Sequence, residues 1–475
     1  MTEFEPVIGL EVHAQINTDT KLFCRCSNNS FGKEPNINIC PICTGHPGQL
    51  PVINEAAVKK GLIAGIALNC KIPNFSKFDR KNYFYPDLPS GFQISQFDKP
   101  VAEKGSLKID VEGKKVNIGI TRLHLENDAG KLTHTSSGTL CDYNRAGSPL
   151  MEIVSEPDLR SSKEAVAYAK ELQKILRYVG SSDADMEKGM MRFDINVSVR
   201  PKGDQKLGTR SEVKNLNSFR SLEKSIEYEI KRQIELINGG GKVVQETRGF
   251  DESTDTTVSQ RGKEEAHDYR YFPEPDLPPF EFTDEEINEL RTQIPELPAA
   301  RKARFVDDLG IKVDDAVILC DDKTLGDYFE KVASGSKNAT KAASLITSVI
   351  IGLMNRDCKN LDELNISAEA LILLMKKIDD GELSSSAVKT VLDEMYESGK
   401  DPEEIIKEKN LVQMSDQGEL ENICKTIVES NEQSVLDYKN GKDRAFGFLV
   451  GQVMKETKGK ANPGKVNEIL IKLLK

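Results

Sequence analysis

Four segments of this chain alternate between apolar and polar side chains, a period of two that only a β-strand turns into two distinct faces. From Val7 to Ile16 the even positions Ile8, Leu10, Val12, Ala14 and Ile16 are apolar, while Glu11, His13 and Gln15 fall on the opposite side. From Ile120 to Asp128, Leu123 and Leu125 oppose Arg122, His124, Glu126 and Asp128. From Met191 to Arg200, Met191, Phe193, Ile195, Val197 and Val199 oppose Arg192, Asp194, Asn196, Ser198 and Arg200. A weaker fourth case, Thr209 to Asn215, puts Arg210, Glu212 and Lys214 on one side.

An antiparallel sheet with one wet face is the ordinary reading of such strands. The residue types argue for a second one. Strands are depleted in Asp and Asn, yet here carboxylates sit in mid-strand beside His, Asn and Arg. If the four strands share a sheet, Glu11, His13, Glu126, Asp194 and Glu212 converge, and that many carboxylates repel one another unless a cation neutralises them. Oxygen-rich ligation with one imidazole suits Mg²⁺, with Mn²⁺ as the neighbouring choice. Arg192, Arg210 and Lys214 supply the positive groups that a polyphosphate needs. A metal and phosphate site is therefore expected on this face.

The chain has 475 residues, 38% of them hydrophobic and 30% charged, an ordinary globular balance with room for roughly three domains. The α+β class is expected, with a large sheet domain, mostly antiparallel, over residues 1–282. Helices are predicted there from Asn54 to Leu68 and from Ser161 to Tyr178, the second capped by Ser161 or Ser162 with Glu164 in its first turn. The run Phe272-Pro273-Glu274-Pro275-Asp276-Leu277-Pro278-Pro279 forbids regular structure and marks the exit. Thr283-Asp284-Glu285-Glu286 opens a helical domain over 283–400 with a capping box. Asp401-Pro402 opens a small helical tail over 401–475. That tail ends in a basic stretch containing Lys455, Lys458, Lys460, Lys465, Lys472 and Lys475.

The net charge of −11 excludes a chain that coats nucleic acid by bulk charge but leaves room for a regional basic patch. No apolar run is long enough to cross a bilayer, and Met1-Thr2-Glu3-Phe4-Glu5 is acidic where a signal peptide is basic, so no membrane partner and a cytoplasmic location are expected.

Nine cysteines are an odd number, which does not suggest a complete disulfide framework. Cys70, Cys141, Cys320, Cys358 and Cys424 stand singly and are expected to be buried spectators. Cys24-Arg25-Cys26 and Cys40-Pro41-Ile42-Cys43 form two close pairs that match a structural four-thiolate Zn²⁺ site, reduced thiols or a redox pair being the alternatives. From Phe78 to Gln96, aromatic residues are interleaved with Arg80, Lys81 and Asn82. Such a segment either stacks a base or tucks its tyrosines onto its own domain. No phosphate-loop signature is present, since Gly239-Gly240-Gly241-Lys242 lacks its spacing and hydroxyl, and no dinucleotide fingerprint, nucleophile elbow or His-Glu-x-x-His motif occurs.

Several longer stretches carry a resemblance. Pro6-Val7-Ile8-Gly9-Leu10-Glu11-Val12-His13, Leu123-His124-Leu125-Glu126, Asp142-Tyr143-Asn144-Arg145-Ala146-Gly147, Glu152-Ile153-Val154-Ser155-Glu156-Pro157-Asp158 and His267-Asp268-Tyr269-Arg270-Tyr271-Phe272-Pro273-Glu274-Pro275-Asp276 are similar to the GatB family, one of the subunits of the tRNA-dependent aspartyl/glutamyl amidotransferases. The segments Phe446 to Lys455 and Gly459-Lys460-Ala461-Asn462-Pro463 resemble that family's tRNA-contacting tail module. Phe250, Asn127 and Ser148 depart from its pattern, in which Trp, Glu and an apolar residue are expected.

The resemblance implies a heterotrimer that repairs misacylated tRNA, Glu-tRNA(Gln) or Asp-tRNA(Asn). ATP activates the side-chain carboxylate as an acyl phosphate. Ammonia then displaces the phosphate, after release from glutamine on a separate amidase subunit, with a small third subunit that clamps the pair. This chain would be the kinase and transamidase half. Glu11, His13 and Glu126 are then expected as Mg²⁺ ligands, Asp194 and Glu212 as further ligands or water holders, with Glu152 as an added member. Arg192, Arg210, Lys214, Lys81 and Tyr83 are expected at the nucleotide, and Lys81, Asn82 and Tyr83 equally suit the ammonia path or the tRNA 3′ end. A ligase acting on a small molecule and a zinc-stabilised RNA-binding scaffold are the rival functions.

Overall fold

In the computed structural model, which describes residues 3–262, 266–411, 417–457 and 461–474, all four alternating segments enter one eight-stranded sheet. Its order across the sheet is Thr256–Gly262, Glu246–Asp251, Ser211–Leu216, Met191–Pro201, Phe4–Gln15, Pro149–Ser155, Lys114–Asn127 and Ala102–Val111. Neighbours pair antiparallel throughout except Ser211–Leu216 with Glu246–Asp251, which are parallel. A parallel pair needs a crossover, and the Phe219–Asn238 helix supplies it. The class is α+β.

The alternation sorts the faces. Leu10, Val12, Leu123, Leu125, Ile153, Phe193, Ile195 and Val213 are buried in one core with Tyr168 and Leu172 of the Ser162–Tyr178 helix and Leu222 and Ile226 of the Phe219–Asn238 helix. Ser161 accepts from the Glu164 backbone N–H, and Asn54 caps the Glu55–Ala67 helix by accepting from Ala56 and Ala57. That last helix lies very close to the sheet. A Cβ on Gly65 would stand 2.6 Å from the Ala102 Cβ, so only glycine allows the approach. Helices thus cover one face and leave the charged face for other work.

The chain divides into two compact units, Met1–Leu297 and Pro298–Lys475. The Asp284–Thr292 helix carries the expected Thr283/Glu286 capping box, and its Ile287 and Leu290 join the core of the sheet unit. Contrary to the expectation that the proline run forbids regular structure, its Phe272–Pro273 pairs with Asp79–Asn82, and Phe280–Glu281 just after it pairs with Phe75–Ser76, so neither strand pairing nor packing ends there. The second unit is helical and holds two apolar clusters, one from Phe305 to Ile406 and one from Leu420 to Leu474. Asp401 caps the Pro402–Glu408 helix, whose Ile405 and Ile406 belong to the first cluster. Of the basic tail residues, Lys458, Lys460 and Lys475 lie outside the described residues, as does Gly459. Cys70, Cys320 and Cys424 are buried as expected of spectators. Cys141 is only half-buried, on the exposed Gly138–Asp142 hairpin strand, and Cys358 is exposed, ending the Ile351–Asp357 helix in a left-handed turn at φ 51°.

Candidate active site

Register decides which charged residues meet. Glu11 lies opposite Asp194, His13 opposite both Arg192 and Glu152, His124 opposite Glu152, and Asn196 opposite Glu212. Directly opposed residues have Cβ atoms ~5 Å apart, so one band of side chains crosses five strands.

At the centre of that band the Glu152 carboxylate stands between two imidazoles, 3.2 Å from His13 Nε2 and 3.4 Å from His124 Nε2. Glu126 lies 4.0 Å from His13 Nε2 and 3.7 Å from His124 Nε2, and accepts from the Ser95 hydroxyl at 3.3 Å. All four side chains are buried. Burial alone would lower both imidazole pKa values and raise both carboxyl values, but mutual pairing wins. His13 and His124 are held up through Glu152, while Glu126 is lowered by its His124 hydrogen bond and the Lys81 charge, and Glu152 well lowered by both histidines. The Nδ1 atoms of His13 and His124 are buried, with no hydrogen-bond partner among the described residues. Ligand atoms of His13, Glu126 and Glu152 lie within 4.8 Å of one another, close enough to grip a single ion. The second imidazole, His124, shares the alternation of its strand but was not expected among the site residues.

Glu11 stands beside this group. It accepts from Asn196 Nδ2 at 2.9 Å, and burial together with the like charges of Glu152, Asp194 and Glu212 pushes its carboxyl up. Asp194 accepts from the Asn215 backbone N–H at 2.8 Å, and Glu212 from Thr247 Oγ1 at 3.0 Å. Lys214 Nζ is 3.9 Å from Asp194 and 3.8 Å from Glu212. Lys214 stands against these three carboxylates, and Arg192, whose charge also reaches Asp194, is itself paired with Asp128, so among the described residues this side of the band is in negative excess, which a divalent cation would offset.

Arg192 contacts Asp128 at 3.3 Å, and Arg145 holds the other oxygen of Asp128 at 3.4 Å. Arg210 is exposed and precedes its strand, which begins at Ser211. The aromatic segment forms a second small sheet of Asp79–Asn82, Phe92–Ser95 and Phe272–Pro273. Asn127 fastens it. The Asn127 side chain accepts from the Ile94 N–H at 2.7 Å, and its carbonyl accepts from Gln93 Nε2 at 2.8 Å. Asn82 donates to the carbonyls of Tyr269 and Arg270. Lys81 Nζ lies 5.1 Å from the Tyr269 ring centre and 6.0 Å from that of Tyr83. Burial works against the Lys81 charge, but Glu126, Tyr271, Glu152 and Tyr83 together raise its pKa, whereas burial pushes the Tyr83 phenol up. Phe84 and Tyr85 remain exposed, so the segment is anchored at its strands and open at its tip.

The Sγ atoms of Cys24, Cys26, Cys40 and Cys43 also lie within 4.8 Å of one another, with Cys40 and Cys43 3.8 Å apart. A tetrahedron with Zn–S bonds of ~2.3 Å has sulfurs ~3.8 Å apart, so the donor set fits zinc. The Cys24 thiol, hydrogen-bonded to Cys43, holds Cys43 down at about 5, while burial pushes Cys26 up to about 11.

Comparison with known proteins agrees along the whole chain. Residues 6–288 match the GatB/GatE catalytic domain, and residues 327–474 match the GatB domain. The B subunit of the aspartyl/glutamyl-tRNA(Asn/Gln) amidotransferase from Carboxydothermus hydrogenoformans is 51% identical over 99% of this chain and 98% of its own length. Proteins of the same name from Halalkalibacterium halodurans and Brevibacillus brevis are 50% and 48% identical, over 98% and 100% of this chain and 98% and 99% of theirs. With both domain matches and near-complete coverage at such identity, the chain belongs to the GatB family, the B subunits of the aspartyl/glutamyl-tRNA(Asn/Gln) amidotransferases.

Proposed function

We propose that this chain is the kinase and transamidase subunit of a glutamine-dependent amidotransferase, an ATP-dependent carbon–nitrogen ligase acting on Glu-tRNA(Gln), Asp-tRNA(Asn) or both. The observation that carries this reading is the buried group of His13, His124, Glu126 and Glu152, set beside the carboxylates of Glu11, Asp194 and Glu212 on one sheet face.

Phosphoryl transfer to a carboxylate needs positioning and charge neutralisation rather than a protein nucleophile. His13, Glu126 and Glu152 would hold Mg²⁺, with Glu11, Asp194 and Glu212 as further ligands or holders of its water; when bound, the ion neutralises phosphate charge. Lys214 and Arg192 border the same face and are suited to phosphate oxygens. The γ-phosphoryl passes from ATP to the side-chain carboxylate, leaving ADP and an acyl phosphate. Ammonia then forms the C–N bond as the C–O bond to phosphate breaks, and its proton leaves with the phosphate. Lys81 and Tyr83, beside Glu126, are placed for the nucleotide, the ammonia path or the tRNA 3′ end. Ammonia would come from a partner amidase subunit, with a small third subunit to complete the assembly in the cytoplasm, while the four cysteines hold a structural Zn²⁺.

The test is single-turnover ATP cleavage by the reconstituted complex with each charged tRNA. Glu126→Gln is expected to slow acyl-phosphate formation by about 10²–10³-fold or more while leaving tRNA affinity within about twofold. Unchanged turnover of Glu126→Gln with ammonium as nitrogen donor removes the site. ATP cleavage that ignores misacylated tRNA favours a small-molecule ligase instead.

A further inference from the structure

Lys21 is fully buried, an unusual place for a flexible ammonium group. Its Nζ donates to the carbonyls of Asn38 at 3.0 Å and Tyr143 at 3.4 Å and approaches Cys43 Sγ at 3.6 Å. Two neutral carbonyls and one sulfur make up this environment, and among the described residues no carboxylate pairs with it. A lysine charge withdrawn from water without a counter-charge costs several kcal/mol, so an anion must stand beside it. Four thiolates around a divalent ion carry a net double negative charge, and their sulfurs supply it.

We propose that Lys21 is the buried counter-ion of the four-cysteine metal centre, and that it ties the cysteine loops to the Asp142–Gly147 loop. This rests on the zinc reading above. The surrounding geometry supports a built position. Lys21 N–H donates to the Cys26 carbonyl at 2.9 Å and Leu22 N–H to the Gly147 carbonyl at 2.9 Å. Gly147 adopts φ +86°, and a Cβ there would meet Cys43 Cβ at 3.2 Å and Lys21 Cδ at 3.6 Å, so the loop closes on the lysine stem and the cysteine together. The lysine therefore offsets thiolate charge on one side and fastens the Tyr143 carbonyl on the other. Groups outside the ligand sphere commonly set metal affinity by 10- to 100-fold.

The full-length protein is loaded with zinc and titrated with the chromophoric chelator 4-(2-pyridylazo)resorcinol. Lys21→Met keeps the stem and removes the charge, and is expected to weaken zinc binding by about 10- to 100-fold. Lys21→Gln, shorter and still a hydrogen-bond donor, is expected to do the same and serves if the Met variant does not fold. Melting separates charge balance from packing. Zinc-loaded variants should melt below zinc-loaded wild type, whereas metal-stripped variants should melt at or above metal-stripped wild type, because the unpaired buried cation is gone. Zinc affinity equal to wild type in both variants overturns the proposal. So does an equal loss of melting temperature with and without zinc. Wild-type protein that takes up no zinc overturns the proposal together with the zinc reading beneath it.

Discussion

Asn215 offers a graded probe of how the fold aims Asp194, a carboxylate of the proposed active site. The strand Ser211–Leu216 pairs Val213 with Ile195 and Leu216 with Phe193, so Lys214 and Asn215 together face the single residue Asp194. This bulge requires Asn215 at φ +59°, and in return the Asn215 N–H donates to Asp194 Oδ1 at 2.8 Å. A left-handed conformation costs an ordinary L-residue about 1–2 kcal/mol, Asn less and Gly none. A hydrogen bond to a carboxylate contributes about 1.5–3 kcal/mol. The bond therefore outweighs the strain of Ala, and Asn215→Ala should keep the bulge, with turnover near wild type and about 1 kcal/mol less stability. Asn215→Val adds a β-branch at a position that excludes one. Its strain approaches the worth of the bond, and both stability and turnover should fall. Asn215→Gly should match wild-type turnover, with at most ~1 kcal/mol lost to backbone entropy. Calorimetry on the full chain and single-turnover ATP cleavage read the series. A Val variant equal to wild type in both, or a Gly variant slower than Ala, refutes the idea that this backbone conformation positions Asp194.

Behind the sheet, Glu229 is fully buried and bound by Arg232 at 2.7 Å, Arg248 at 3.0 Å and the Thr257 hydroxyl. Burial raises its pKa, but Arg232 and Thr257 hold it below the ordinary carboxylate value, so its stabilising effect is full above the unfolded pKa of about 4.3 and fades as pH falls through the lower folded value. Glu229→Gln should cost about 3–5 kcal/mol at pH 7 and flatten the acid limb of a melting-temperature profile; an unchanged acid limb counts against this carboxylate. In the tail, truncation after Asn410 should lower tRNA affinity and the steepness of its salt dependence without changing the single-turnover rate of bound substrate. An unaltered salt slope removes the role assigned to the basic stretch.

The alternation of Glu11, His13, Glu126, Asp194 and Glu212 was legible because a period of two depends only on local backbone geometry. Which of them touch depends on register between strands far apart in sequence, and no local pattern carries that. Glu152 illustrates the limit. It sits in Pro149-Leu150-Met151-Glu152-Ile153-Val154, a strand buried on both faces, where alternation is lost and one carboxylate in an apolar run is the only signal. His124 did carry the signal, on the same face as Glu126, and pairing it with His13 required knowing that the Glu152 strand lies between them. Arg210 falls just outside its strand, whose ladder begins with Ser211 opposite Val197, and alternation alone does not show where a strand starts. The Asp284–Thr292 helix was readable from its capping box, but its return to the sheet core through Ile287 and Leu290 is a packing event beyond local signals.

The central claim is that this sheet face grips a divalent ion through imidazole nitrogen as well as carboxylate oxygen. Electron spin-echo envelope modulation of the protein with Mn²⁺ and a non-hydrolysable ATP analogue reads that bond directly. Nitrogen modulation in the wild type, lost in His13→Gln, is the predicted result. A bound Mn²⁺ that shows no nitrogen coupling, or coupling untouched by His13→Gln, contradicts it.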